Sequence, residues 1–346
     1  MSRVLVRATN WLGDAVMSLP ALRAIRAVFP HAHLAVLARD SVADLYTRER
    51  CVDRVIAYPK LKGLGPRRAF AAVLRAQRFE GAILLQNAFD AALIAWLAGI
   101  PERIGYDRDA RGRLLTRAIA VPEPGEIPRH ERFYYLELLR RAGLIERFPE
   151  TTEIRLDRLD EARAGGVEGF KVLGMTGPIV GVSPGAAYGN AKRWLPERFA
   201  ESARQVAATL DAGVAVFGSA SERELCEAVS QEVRRAGLQV WNLAGDTSLE
   251  GFIGLAAACR VFLTNDSGAM HVASAVGVPT LAVFGATDDT TTGPTGPLAR
   301  VVREHAECSP CLLRECPIDH RCMTRVNADR VAAEALILAG DYGHAN

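Results

Sequence analysis

"VFLTNDSGAMHVASAVGVPTLAVFG", residues 261–285, holds the organisation of the chain in miniature. An apolar run, Val261–Leu263, ends at Thr264–Asp266; Ser267 and Gly268 open a helical segment over 268–276; a second apolar run, Thr280–Phe284, follows. Apolar runs of strand length separated by helices predict parallel strands covered on both faces. The turn between them carries chemistry as well. Free backbone N–H groups at a helix start, a hydroxyl and a glycine that permits close approach suit a phosphate, with His271 one turn in and within reach of the same anion. The competing reading is local: Asp266 or Ser267 caps the helix and His271 packs beside it.

Outward from this stretch the rhythm continues. Strands are predicted at 179–185, 213–219 and 240–245, helices near 196–211, 221–236 and 248–258, and a final helix over 327–339. The first half repeats the pattern, with strands at 3–8, 33–38, 54–58 and 81–87 and helices near 14–29, 66–78 and 88–98. Pro20 predicts a kink or restart in the first of these helices. Residues 101–128, rich in Pro, Gly and Arg, interrupt the alternation before a helix at 131–143. The glycine-rich run 165–178 reads as an interdomain linker. The expected fold class is α/β: two doubly wound parallel-sheet domains, 1–170 and 178–326, with a helix and tail, 327–346, packing back across the cleft between them. Ligands of such folds bind at the carboxyl edges of the strands.

The bulk composition narrows the function. With 42 basic and 40 acidic residues, the net charge of +2 gives no general affinity for nucleic acid. Hydrophobic residues at 49% fit a globular core, yet no apolar run reaches the roughly 18 residues of a membrane span. The charged start "MSRVLVR" does not read as a secretory signal, so the expected location is cytoplasmic, with attachment to the inner face of the membrane left open. No G-x-G-x-x-G follows the first strand and no G-x-x-x-x-G-K-[ST] occurs, which disfavours nicotinamide oxidoreductases and P-loop enzymes.

Three further fragments carry candidate groups. "SPGAAYGNAKRW", 183–194, follows the first strand of the second half and offers backbone donors at Ala186 and Ala187 and a point charge at Lys192; otherwise it is a solvated basic loop. "FGSASERE", 217–224, places Ser219 and Glu222 at a helix start, where the carboxylate accepts from a ribose or only favours the helix dipole. Near the N-terminus, "NWLGD", 10–14, occupies the position of a phosphate loop but has one glycine, Gly13, and an acid, Asp14. That acid either caps the helix or is aimed at a substrate hydroxyl.

In order along the chain, "NWLGDAVMSLPAL", "PGAAYGNAKRW", "FGSASERE", "NLAGDTSL" and "NDSGAMHVASAVGVPTLAVFG" resemble the ADP-heptose:lipopolysaccharide heptosyltransferases, glycosyltransferase family nine. The first motif, with "QNAFDAALIAWLAGIPERIGY", is most similar to the heptosyltransferase II branch, which adds the second inner-core heptose. The resemblance implies a GT-B fold of two Rossmann-like domains facing a central cleft, the second binding ADP-heptose and the first the lipid-linked acceptor. It implies inverting transfer with no required cofactor. It implies Asp14 as general base, with Asn10 and Gly13 on the acceptor side. Lys192 then meets the donor diphosphate, Glu222 the nucleoside, and Asp266, Ser267, Gly268 and His271 the diphosphate and sugar. The chain reads "KRWLP" where the family more often places proline directly after tryptophan, which shifts the loop end beyond Lys192. The acceptor is anionic, so Arg111, Arg113 and His130, in an arginine-rich stretch, are expected to meet its negative groups; the alternative is a solvated loop.

Four of seven cysteines, Cys308, Cys311, Cys316 and Cys322, crowd into "CSPCLLRECPIDHRC". Their spacing fits no usual template, and two readings stand: a structural zinc or iron–sulfur site, or reduced, redox-sensitive thiols. The sequence assigns no oligomeric state.

Overall fold

Val4–Val6, Leu34–Leu37 and Ala82–Leu84 are almost fully buried, as only strands with helices on both faces can be. In the computed structural model, which describes residues 1–344, they form the centre of a six-stranded parallel sheet. The first unit, Met1–Asp157, runs β1 (Arg3–Arg7), α1 (Leu12–Met17), α2 (Leu19–Val28), β2 (His33–Ala38), α3 (Asp40–Thr47), β3 (Arg54–Ala57), α4 (Leu64–Ala76), β4 (Gly81–Leu84), α5 (Phe89–Leu97), β5 (Glu102–Tyr106), β6 (Arg117–Ile119) and α6 (Arg132–Arg141). The strand order is β3-β2-β1-β4-β5-β6. The first helix breaks at Ser18 and restarts with Pro20 in its first turn, where a missing N–H costs nothing. The stretch 101–128 is not irregular: it supplies β5 and the three-residue edge strand β6, and α3 is a helix the periodicity did not mark.

The second unit, Arg158–Asn346, runs α7 (Leu159–Val172), β7 (Ile179–Ser183), α8 (Pro196–Leu210), β8 (Gly213–Val216), α9 (Arg223–Arg235), β9 (Val240–Asn242), α10 (Leu249–Ala258), β10 (Val261–Asn265), α11 (Gly268–Ala275), β11 (Thr280–Val283), α12 (Asp289–Thr292), β12 (Ala299–Val302), α13 (Arg321–Thr324) and α14 (Ala328–His344). Its strand order, β9-β8-β7-β10-β11-β12, repeats that of the first sheet.

Two boundaries differ from expectation. The division falls between 157 and 158, not at a linker over 165–178, because 159–172 is helix α7. One of its glycines is a contact point: a Cβ at Gly166 would overlap the Gly254 carbonyl of α10, so the two helices meet backbone to backbone there. The C-terminal helix is part of the second unit's own core. The Ser202 hydroxyl of α8 donates to the Ala328 carbonyl at 2.9 Å, the Trp194 indole to Val326 at 3.3 Å, and Arg260 to Ala339 at 2.7 Å. Trp194, fully buried edge-on against Phe199, anchors that core. The tail residues 345–346 of the expected C-terminal segment lie outside the described residues.

Candidate active site

In each sheet the chain leaves the first strand in one direction and returns on its other side, so a switch point opens between β1 and β4 and between β7 and β10. Loops at the carboxyl edge of such a point diverge and leave room for a ligand.

At the second switch point, Asn265, fully buried at the end of β10, fixes the loop after β7. Its side chain donates to the Pro184 carbonyl at 2.7 Å and accepts from the Trp194 N–H at 2.9 Å, clamping both ends of the segment that carries Lys192. Lys192 Nζ lies 2.5 Å from Asp266 Oδ2 and 4.9 Å from the centre of the Tyr188 ring. Asp266, 4% exposed, accepts a second bond from Thr287 at 2.6 Å. The buried carboxylate is thus matched by one cation and one hydroxyl. Ser267 occupies the cap position of α11, but its hydroxyl pairs with Thr264 at 3.3 Å and makes no capping bond to the helix. Gly268 opens that helix and His271, nearly buried, sits one turn in.

Glu222 has a structural task as well. One carboxylate oxygen accepts from the Ser219 N–H at 2.9 Å and hydroxyl at 2.8 Å, closing a capping box; the other lies 4.0 Å from Arg193. A Cβ at Gly185 would overlap this carboxylate, so the loop after β7 passes directly against the end of the Glu222 side chain. Ala186 is buried, its carbonyl accepting from Arg193 at 3.2 Å, while Ala187 is exposed on the same loop. Lys192, Ser219, Glu222, Asp266, Ser267 and Gly268 therefore share the edge formed by three adjacent strands.

The cysteine segment folds onto this loop. Tyr188 donates to the Leu312 carbonyl at 3.0 Å, the Ala191 N–H to Arg314 at 3.0 Å, and the Cys316 N–H to Asn190 at 3.3 Å; His320 pairs with the Ala191 carbonyl at 3.1 Å. Cys308 is exposed while Cys322 is buried against Gly285, with its thiol pushed up by burial and by the neighbouring sulfurs. Among the described residues no group of three or more His, Cys, Asp or Glu side chains is arranged to hold a metal ion. Of the two readings of Cys308, Cys311, Cys316 and Cys322, the zinc or iron–sulfur site therefore finds no support in the structure; the segment carrying the four thiols buttresses the Lys192 loop.

The first switch point is built differently. Arg7, buried at the end of β1, donates to Asn10 Oδ1 at 2.9 Å and to the Leu37 carbonyl at 3.2 Å, and stacks 4.7 Å over the Tyr58 ring; burial pulls its pKa down to about 10. Helix α1 begins at Leu12, with extended Trp11 as its cap residue and no side-chain capping bond. Gly13 and Asp14 lie inside the first turn, so Asp14 is not the cap. Asp14 is half-buried and near Glu131, whose carboxyl is pushed up to about 7 by burial first and by the Asp14 charge second. Asp14 and Glu131 thus bring two half-buried carboxylates together, a pairing suited to acid–base chemistry.

Arg111 is not the surface anion binder that its stretch suggested. It is fully buried; its guanidinium donates to the Tyr106 carbonyl at 2.9 Å, to the Gln86 carbonyl, and to Asn87 Oδ1 at 3.2 Å, and burial lowers its pKa to about 10. Asn87 in turn donates to the Tyr134 hydroxyl at 2.9 Å. Arg111 thus holds the loop after β4. Arg113 is exposed, and His130, half-buried, accepts from the Arg132 N–H at 3.2 Å. Sequence reasoning missed Asn265, Thr287, Arg7, Asn87 and Glu131. Asn265 opens a recognised motif and Thr287 follows its end by two residues, and a polar residue closing an apolar strand was the available signal.

The signature of glycosyltransferase family 9 (heptosyltransferase) matches residues 67–321. The chain belongs to this family. As a family member it is a glycosyltransferase. It is 32% identical over 311 residues to lipopolysaccharide heptosyltransferase 2 of Escherichia coli K12, covering 87% of this chain and 88% of that protein. It is 27% identical to lipopolysaccharide heptosyltransferase 1 of Pseudomonas aeruginosa over 97% of this chain and 98% of that one. The solved structure of E. coli ADP-heptose lipopolysaccharide heptosyltransferase II superposes with a TM-score of 0.82 at 28% identity, covering 99% of both chains. The two six-stranded parallel sheets of this family 9 transferase are those of the GT-B class.

Proposed function

We propose that this transferase moves a heptose from ADP-heptose to the heptosyl-Kdo-lipid A acceptor of the lipopolysaccharide inner core, at the cytoplasmic face of the membrane, inverting the anomeric centre. The observation that carries the reading is the Lys192–Asp266 pair at the β7/β10 switch point, beside the start of α11. A diphosphate there meets an ammonium and the backbone N–H groups of a helix N-terminus, which stabilise the charge on departing ADP without a metal. In this reading Asp266 and His271 meet the diphosphate and sugar, and Glu222, after β8, the ribose. The second unit is the donor half and the first the acceptor half.

The chemistry then balances on two groups. Asp14 takes the proton of the acceptor hydroxyl; that oxygen attacks the anomeric carbon; the bond to the β-phosphate oxygen breaks; and ADP leaves on the face opposite the attack. Glu131, whose carboxyl is pushed up to about 7 by burial and by the Asp14 charge, stands beside the base. Asn10, held by Arg7, and Gly13 flank the base, and Arg113 and His130 are the candidates for acceptor anions. Incubation with ADP-heptose and mono-heptosylated Kdo-lipid A is expected to add one heptose mass and release ADP. Transfer only to the unheptosylated acceptor would assign the first heptose instead.

A further inference from the structure

Among the described residues no helix is long and apolar enough to cross a membrane, yet the first unit carries an unusual surface on α4 and α5. The two helices lie side by side and in the same sense: Arg67 near the start of α4 reaches Asp90 at the start of α5 at 2.6 Å, and Arg75 near its end reaches the Leu97 carbonyl at 2.5 Å at the end of α5. Their inner faces pack on the sheet through Ala71, Leu74, Ala92 and Ala95. Their outer faces leave Leu64, Val73, Phe89 and Trp96 between 46% and 56% exposed. Between Arg54 and Phe79 there are seven basic side chains and no acidic one. Lys60, Lys62 and Arg68 are exposed, and their side chains make no hydrogen bond or ion pair among the described residues. Asp90, at the start of α5, is taken by Arg67 and the Tyr58 hydroxyl.

We propose that the outer face of α4 and α5 docks the enzyme on an anionic lipid bilayer. Half-exposed Trp, Phe and Leu side chains suit the headgroup boundary, and unpaired lysines and arginine beside them match the negative surface of a bilayer containing acidic lipids. A protein partner would need directional contacts, whereas this face offers only charge of one sign and dispersed apolar side chains. Phe89 follows Asn87 of the β4 loop by two residues, so the docking face runs into the edge assigned to the lipid acceptor. The proposal rests on the reading of that acceptor as lipid-linked, and names the surface that meets its membrane.

The test uses the full chain and vesicles of phosphatidylcholine, alone or mixed with phosphatidylglycerol. Cosedimentation is expected with the mixed vesicles only, and binding should fall as salt rises. Lys60→Glu/Lys62→Glu/Arg68→Glu should weaken binding by roughly 100-fold or more, at about 1 kcal/mol per cation lost, and Trp96→Ser by a smaller factor. Unchanged melting temperature and ADP affinity in both variants establish that they are folded. No binding to acidic vesicles, binding untouched by charge reversal, or a wild-type dimer that the variants dissociate would each overturn the docking surface. Transfer to a detergent-dispersed acceptor is measured separately. Vesicle binding without transfer would sink the functional reading and leave the surface standing, and transfer without vesicle binding would do the reverse.

Discussion

The two halves share one strand order and assign their charged groups oppositely. In the second half, a cation and a buried acid neutralise each other at the switch point, and the loops are tied by amide and hydroxyl bonds through Asn265 and Thr287. In the first half, two buried guanidiniums, Arg7 and Arg111, do the tying, and the carboxylates Asp14 and Glu131 are left as the titratable chemistry. In the proposed reading, a single backbone frame hosts an anion site in one copy and a proton-accepting site in the other. What differs is which residue type does the scaffolding.

The comparison predicts a graded set of losses. Asp14→Asn should lower turnover by roughly 10²–10⁴-fold while ADP-heptose affinity, measured by calorimetry, stays at the wild-type value. Normal turnover would remove the chemical role from the first half. Lys192→Met should cost roughly 10²–10³-fold in turnover and weaken ADP binding as well. A variant that melts earlier but still turns over normally would reduce Lys192 to a counterion for Asp266. Arg111→Met, which strands two buried carbonyls and Asn87, should destabilise by about 2–4 kcal/mol in urea titrations. Arg113→Glu, at the exposed neighbour, should leave stability within about 0.5 kcal/mol and raise the acceptor KM alone. Equal stability losses at both positions would contradict the division between scaffold and surface.

The first half also carries an expected pH dependence. The folded protein holds the Glu131 proton up to about pH 7, against an ordinary value of 4.5, so it binds more protons than the unfolded chain across that window. Stability contributed by this group is therefore present below the ordinary value and lost as pH rises toward 7. Glu131→Gln should remove that slope, on the order of 1–2 kcal/mol, giving melting temperatures that gain most on wild type at pH 8 and least at pH 5.

Much of this was legible in the sequence. The central strands β1, β2, β4, β7, β10 and β11 show as apolar runs because both faces are covered. Lys192 and Asp266 stand out because they sit in turns where a charged residue has no packing reason to be. Strand β6 was hidden because it is a three-residue edge with no buried position. Part of helix α7 was read as a linker because glycine lowers helix propensity, and nothing local reveals that Gly166 admits a second backbone. Arg111 was misassigned because an arginine in a polar stretch reads as solvent-facing; only Gln86 and Asn87, some 25 residues earlier, explain its burial. Contacts between residues far apart in sequence leave no periodicity to read.

The backbone-to-backbone seating of α7 on α10 also says where the chain can be recombined. A chimera that exchanges the second half with that of another family member should be joined at 157/158, so that Gly166 travels with Gly254. A seam at 178 would press a foreign helix, whose small residues need not fall in register, against α10. The joint that looks flexible in the sequence is a place where two helices must come from the same parent.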